Sequence, residues 1–364
     1  MSAAFEIGTV SVVIEFRVLV LVLVVTAVPT VATLLSAPAE ATLTPPAGAT
    51  AWRADNRHLP DPVRTDPAAL HHFLAAAGQT GQQDLVTRYP GVIGALDGAA
   101  PQLRYAANQL LMHTAGPPYR DEAGSFLLFD PRGRGRIAEV FGDLATADRI
   151  AILVPGVGNQ LNNFWTGVGD RGYRAPAVQA GNLYQSAVQE GTVTHFAVIA
   201  WLGYDTPDGV GISAAREDVA RAGAAALDRF VAGLVAVRPH ATIALLGHSY
   251  GSTVIGVAAS RLPGAVTDIA VFGSPGMSAD NVAGLHTTAR VWVGQSTGDW
   301  IKWVPGIQVF GLGHGTKPTD PRFGARIFPT VGVPDHDHYL SPGTDSLGSL
   351  TSIATSGTDT DPRS

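Results

Sequence analysis

From residue 126 onward the apolar positions gather into short unbroken runs: Phe126 to Phe129, Ile150 to Val154, Phe196 to Trp201, Ile243 to Leu246, Ile269 to Phe272 and Val291 to Val293. Several are rich in valine and isoleucine, and the later ones alternate with helical stretches. Continuous apolar strands separated by helices are what a parallel sheet requires when both its faces are covered. The longest helical stretch, Ala214 to Val235, sets Val219, Ala222, Leu227, Phe230, Val231 and Leu234 toward the sheet and runs directly into the strand ATIALLG. The predicted class is α/β with a doubly wound, mostly parallel sheet, over residues 126 to 350.

Upstream the period changes. DPAALHHFLAAA, QQDLVTRY and PQLRYAANQLLM, between Asp66 and Met112, each carry apolar residues three and four apart and predict a helical N-terminal region. Residues 42 to 68, with Pro45, Pro46, Pro60, Pro62 and Pro67, read as a linker and surface wrap, so that 42 to 125 form one unit ahead of the sheet. Val18 to Ala39 holds no charged residue. A helix of that length spans the roughly 30 Å hydrocarbon core of a bilayer. Ser36-Ala37-Pro38-Ala39 adds the small residues of a cleavage site, although Glu6 and Glu15 offset Arg17 where positive charge is usual. Residues 1 to 41 are therefore expected to be a signal peptide or signal anchor. The expected location is secreted or in the cell envelope, with membrane association through this segment. The Ser/Thr/Asp/Gly-rich end, 351 to 364, is expected to be a disordered tail.

Composition narrows the function. A chain of 364 residues, 46% hydrophobic and 15% charged, buries a large core. The formal charge of -6, with acids and bases interspersed, offers no basic face for phosphate backbones, which argues against nucleic acid as a partner. The absence of cysteine removes disulfides, thiolate catalysis and cysteine metal sites.

The chemistry centres on LLGHSYGST, residues 245 to 253, where Ser249 sits between Gly247 and Gly251 at the end of a strong strand and the start of a helical stretch. That context is a nucleophile elbow, in which side chains at the glycine positions would collide with backbone as the turn tightens. A serine hydroxyl needs a base, an orienting acid and donors for the oxyanion. On a doubly wound fold these follow in the order Ser, acid, His. Asp299, on the loop after ARVWVGQ, is the candidate acid, and Asp280 is its rival. The base comes from Pro334-Asp335-His336-Asp337-His338-Tyr339. If that stretch is extended, His336 and His338 share a face, and the residues alone leave both open. Two histidines flanked by two aspartates also form a metal-binding alternative, without the HExxH spacing. After the strand at 150 to 154, Pro155-Gly156-Val157-Gly158 supplies the other half of an oxyanion hole, formed by the Val157 and Tyr250 amides. Loops 158 to 185 and 204 to 212 are expected to shape the pocket, with Phe164, Trp165, Tyr173, Tyr184 and Tyr204 as an aromatic lining for an apolar acyl group.

The stretches TRYPGVIGALDG, LRYAANQLL, FDPRGRGRIAEVFGDLATADRIAILVPGVG, VIAWLGYDTP, LLGHSYGSTVIG, FGSPGM, FGLGHGTKPTDPRFGAR and HDHYLSPGTDSL together resemble one family. It is the α/β-hydrolase family of high-GC Gram-positive bacteria long catalogued as a domain of unknown function, and the resemblance covers roughly residues 84 to 350. It implies Ser249 as nucleophile, Asp299 as acid and His336 as base. The family reads His-Ser-x-Tyr where this chain has His336-Asp337-His338-Tyr339. The expected activity is hydrolysis of a small-molecule or lipid carboxylic ester through an acyl-enzyme, a route that needs no cofactor or metal. A peptidase or amidase on the same triad is the alternative within hydrolases. A non-catalytic cell-envelope protein on the same scaffold is the alternative outside them.

Overall fold

The computed structural model describes residues 43–191, 195–209, 217–304, 308–309 and 312–356. The proposed signal or anchor segment, and the end of the chain beyond Ser356, lie outside the described residues.

The doubly wound α/β sheet expected from the sequence is present. Its strands are β1 (Ser125–Asp130), β2 (Arg136–Gly142), β3 (Arg149–Val154), β4 (Phe196–Leu202), β5 (Thr242–His248), β6 (Val266–Phe272) and β7 (Arg290–Gly294), with the short hairpin strands β8 (Gln308–Val309) and β9 (Leu312–Gly313) apart from the sheet and β10 (Arg326–Ile327) at its edge. The order across the sheet is β1-β2-β4-β3-β5-β6-β7-β10. Pairing is parallel from β4 through β10 and antiparallel at β1–β2 and β2–β4. Every residue of β4 is buried, as a strand covered on both faces must be.

Ahead of the sheet come α1 (Ala49–Arg53), α2 (Pro67–Ala76), α3 (Gly78–Arg88), α4 (Pro90–Ile93) and α5 (Pro101–Ala115). Within the sheet domain are α6 (Pro176–Gln189), α7 (Glu217–Val237), α8 (Tyr250–Ala258) and α9 (Asp345–Thr355). Apolar side chains of α7 and α8 form one core with one face of the sheet, and those of α6 and α9 form a second core with the other. On α7, Leu227, Phe230, Val231 and Leu234 are buried as predicted, but Ala222 is exposed and Ala220 and Ala224 turn inward instead.

Three expectations are corrected. The proline-rich segment 42 to 68 is more than a linker: it contains α1, whose Trp52 is fully buried in the N-terminal core and donates its Nε1–H to Pro60 O at 2.7 Å. Pro62 O and Thr65 O are both bound by Arg229 on α7, which joins this segment to the sheet domain. Residues 351 to 355, expected to belong to the tail, are helical. Thr344 caps α9 by accepting the Leu347 N–H, and the helix buries Thr351, Ile353 and Ala354. The stretch 158 to 185 is not all loop, because α6 starts at Pro176 and buries Ala177, Ala180, Leu183 and Ala187.

Where the N-terminal region meets β4 and α7 there is a cavity of about 360 Å³ whose walls include Asp97, Arg104, Trp201 and Arg229. None of Ser249, Asp299 and His336 lines it.

Candidate active site

Parallel pairing brings the carboxyl ends of four neighbouring strands level. Val154 pairs with Gly247, His248 with Phe272, and Phe272 with Gly294. The loops that leave β3, β5, β6 and β7 therefore open side by side at one edge, where reactive groups collect on open α/β sheets.

Ser249 leaves β5 with φ 52° and ψ -124°, left-handed for a residue bearing a Cβ, and α8 begins at the next residue. Such a conformation costs on the order of 1–3 kcal/mol and persists only when its surroundings impose it. Here the Ser249 N–H donates to Phe272 O at 3.0 Å, and Ser252 Oγ donates to Ser249 O at 2.5 Å. A Cβ on Gly251 would lie 2.1 Å from Val154 O, and one on Gly247 would lie 2.9 Å from Ser252 N. Both glycines are thus required by space, as the motif predicted.

His336 sits between the other two predicted residues. Its Nε2 is 2.9 Å from Ser249 Oγ and its Nδ1 is 2.9 Å from Asp299 Oδ1. Asp299 is fully buried, and it also caps the 3₁₀ turn Trp300–Trp303 by accepting the Ile301 N–H at 2.8 Å. Burial alone would raise its pKa, but hydrogen bonds from His336, Tyr339 and Ile301 outweigh that and hold the carboxyl below the usual range. Tyr339 donates to Asp299 Oδ2 at 2.6 Å and accepts the Ser296 N–H at 2.9 Å. Its burial and the neighbouring carboxylate push its phenol well up, so it stays a donor. The Trp300 ring lies 4.7 Å from that of His336 and forms an aromatic wall.

The second histidine goes elsewhere. His338 Nδ1 lies 2.6 Å from Asp335 Oδ1, and its ring stacks on Tyr173 with centroids 3.9 Å apart. Residues 335 to 337 form a bend and turn rather than extended chain, so the two histidines do not share a face. Asp337 pairs with Arg174 at 3.1 Å. Among the described residues no group of three or more acidic or histidine side chains could hold a metal ion. The rival acid Asp280 is exposed.

Gly156 lies against the serine: a Cβ there would be 2.6 Å from Ser249 Cβ and 3.1 Å from its Oγ. The turn that carries Val157 is therefore beside the Ser249 hydroxyl, and Tyr250 begins the helix that follows the serine. The expected aromatic lining is largely not a lining. Phe164 and Tyr204 are buried in the cores, and Trp165 and Tyr184 pack against one of them. Residues 210 to 212 of the second pocket loop lie outside the described residues.

Sequence reasoning also missed His248, which is buried, stacks on Phe272 and donates Nε2–H to His336 O at 2.8 Å. Burial, helped by the nearby His336, pushes its imidazole from 6.5 down to about 4. Between those two values the unfolded chain binds more protons than the folded one, so this contribution is fully present above pH 6.5 and is lost as pH falls toward 4. The loss amounts to about 3 kcal/mol at most. Urea unfolding at pH 7.5 and 4.5 should show it, and His248→Gln should flatten the difference. An equal drop in the variant assigns the acid sensitivity to other groups.

A family model described as alpha/beta hydrolase matches residues 130–309, which takes in Ser249 and Asp299. An uncharacterized protein of Mycobacterium tuberculosis is 30% identical over 318 residues, 75% of this chain and 47% of that protein. An uncharacterized protein of Mycobacterium bovis is 34% identical over 145 residues, 37% of this chain and 50% of that one. The chain spans about half the length of the curated relatives it matches. Among solved structures it is similar to that of esterase PE8, with a TM-score of 0.39, 16% identity and coverage of 58% of this chain and 94% of that one. It is also similar to a Trichoderma reesei cutinase in complex with a phosphonate inhibitor, with a TM-score of 0.34, 14% identity and coverage of 79% and 97%. Over residues 130–309 the chain matches the α/β-hydrolase family, and its sheet has that family's fold.

Proposed function

We propose that this chain is a serine hydrolase that cleaves carboxylic esters of small molecules or lipids through an acyl-enzyme. The observation that carries the reading is one imidazole, His336, within 2.9 Å of both the Ser249 hydroxyl and the buried Asp299 carboxylate, at a strained elbow. With Asp299 accepting the Nδ1–H, Nε2 is left as the acceptor that takes the serine proton. Ser249 Oγ then attacks the ester carbonyl, and the Val157 and Tyr250 amides bind the oxyanion. Collapse expels the alcohol, which receives the proton from His336. Water, deprotonated by the same nitrogen, attacks the acyl-serine and releases the acid. The half-buried Trp300 beside His336 favours an apolar substituent.

A fluorophosphonate probe tests the nucleophile, because its tetrahedral phosphorus mimics the intermediate. The adduct should map by mass spectrometry to Ser249, and a series of p-nitrophenyl esters should be hydrolysed faster than the matching anilides. A modification elsewhere, or none, removes the serine mechanism; faster anilide cleavage moves the protein to the amidases.

A further inference from the structure

The turn that carries Val157 is glycine-rich, yet its peptide planes are fixed one by one. Tyr204 Oη donates to Pro155 O at 2.6 Å, Asn159 Nδ2 to Gly156 O at 3.0 Å, Asn163 Nδ2 to Gly158 O at 2.9 Å and Thr206 Oγ1 to Asn159 O at 2.8 Å. The Gly158 N–H in turn donates to Pro207 O at 2.7 Å. Without these partners two glycines would leave the turn free to rotate its amides.

The Asn159 contact bears most directly on chemistry. In a trans peptide the C=O and N–H point in opposite directions. A donor that holds Gly156 O therefore sets the direction of the Val157 N–H. That peptide starts at Gly156, the residue packed against the side chain of Ser249. Asn159 is itself buried, its Nδ2 also reaches Val157 O at 3.4 Å, and its Oδ1 is buried with no partner among the described residues. With its acceptor idle, this buried side chain is engaged through its donor alone.

We infer that Asn159 is a positioning residue that aims the Val157 amide at the oxyanion, with Tyr204 and Thr206 bracing the same turn. The inference rests on the serine-hydrolase reading above. Asn159 touches no reacting atom. Its influence is felt only when the carbonyl oxygen becomes anionic, so it acts on the transition state and leaves ester binding nearly unchanged.

Asn159→Asp keeps the shape and removes the donor, and Asn159→Ala removes the donor without placing a charge in the interior. In folded protein either variant should lose roughly 10- to 100-fold in kcat with KM within about twofold of the parent. Affinity for a trifluoromethyl ketone, which forms an anionic adduct on the serine, should fall by the same factor as kcat/KM. Tyr204→Phe, which leaves the ring packed, should move both quantities in the same direction by less. Unchanged kcat and ketone affinity in folded Asn159→Ala overturns the inference while leaving the hydrolase reading in place. A parent protein that neither hydrolyses esters nor labels at Ser249 overturns both.

Discussion

His336→Ala should abolish ester hydrolysis, lowering kcat by about 10⁶, the scale seen when a triad loses its base, while His338→Ala should keep at least about a tenth of it. The two residues differ in every contact that matters. His336 reaches the Ser249 hydroxyl with one nitrogen and Asp299 with the other, whereas His338 is tied to Asp335 and stacked on Tyr173. Losing His338 loosens the segment that delivers His336, which costs positioning and not proton transfer. The comparison holds in proteins with matched thermal midpoints. The reverse ranking would move the base to His338, and full activity in both variants would remove the triad.

That distinction was legible in the sequence only through family resemblance. Read as extended chain, the stretch from 335 to 339 puts both histidines on one face, but the backbone turns there and separates them. The elbow was legible because its demands are local: a strand, two glycines that space requires, and a helix. Asp299 was legible as an acid at a strand end; it also caps the following turn, and one carboxylate oxygen serves the Ile301 N–H and His336 together. What escaped was non-local. In β2 the apolar run RIAEVFG is broken by Glu139, which is buried against Trp165 Nε1 with its carboxyl pushed up to about 7 by burial, so a core strand reads as a polar one. Helix α6 escaped because its inward face is mostly alanine, which gives little contrast with the glutamines and asparagine beside it. Tyr339 and His248 were visible as residues, but their roles depend on chain segments far away in sequence: Ser296 and Asp299 for the first, His336 for the second.

Asp299→Asn should lower kcat about a thousandfold and remain at least tenfold more active than Asp299→Ala. In a triad where the amide reverses, its NH₂ meets the imidazole, fixes the wrong tautomer and costs about 10⁴. The surroundings of Asp299 oppose that reversal. The oxygen that faces His336 also accepts the Ile301 N–H, so an amide nitrogen at that position would meet a second donor. The other carboxylate oxygen faces the Tyr339 hydroxyl, which can rotate its proton away and accept from an amide instead. The amide in Asp299→Asn therefore keeps its oxygen toward His336, the serine-facing nitrogen stays an acceptor, and the loss reports the missing negative charge that stabilises the imidazolium. In Asp299→Ala both the charge and the orienting acceptor go. Steady-state kinetics on the three proteins, with KM measured alongside kcat, decides the matter. Equal losses in the two variants would mean that the amide does reverse in spite of Ile301, and losses under tenfold in both would remove Asp299 from the acid's role.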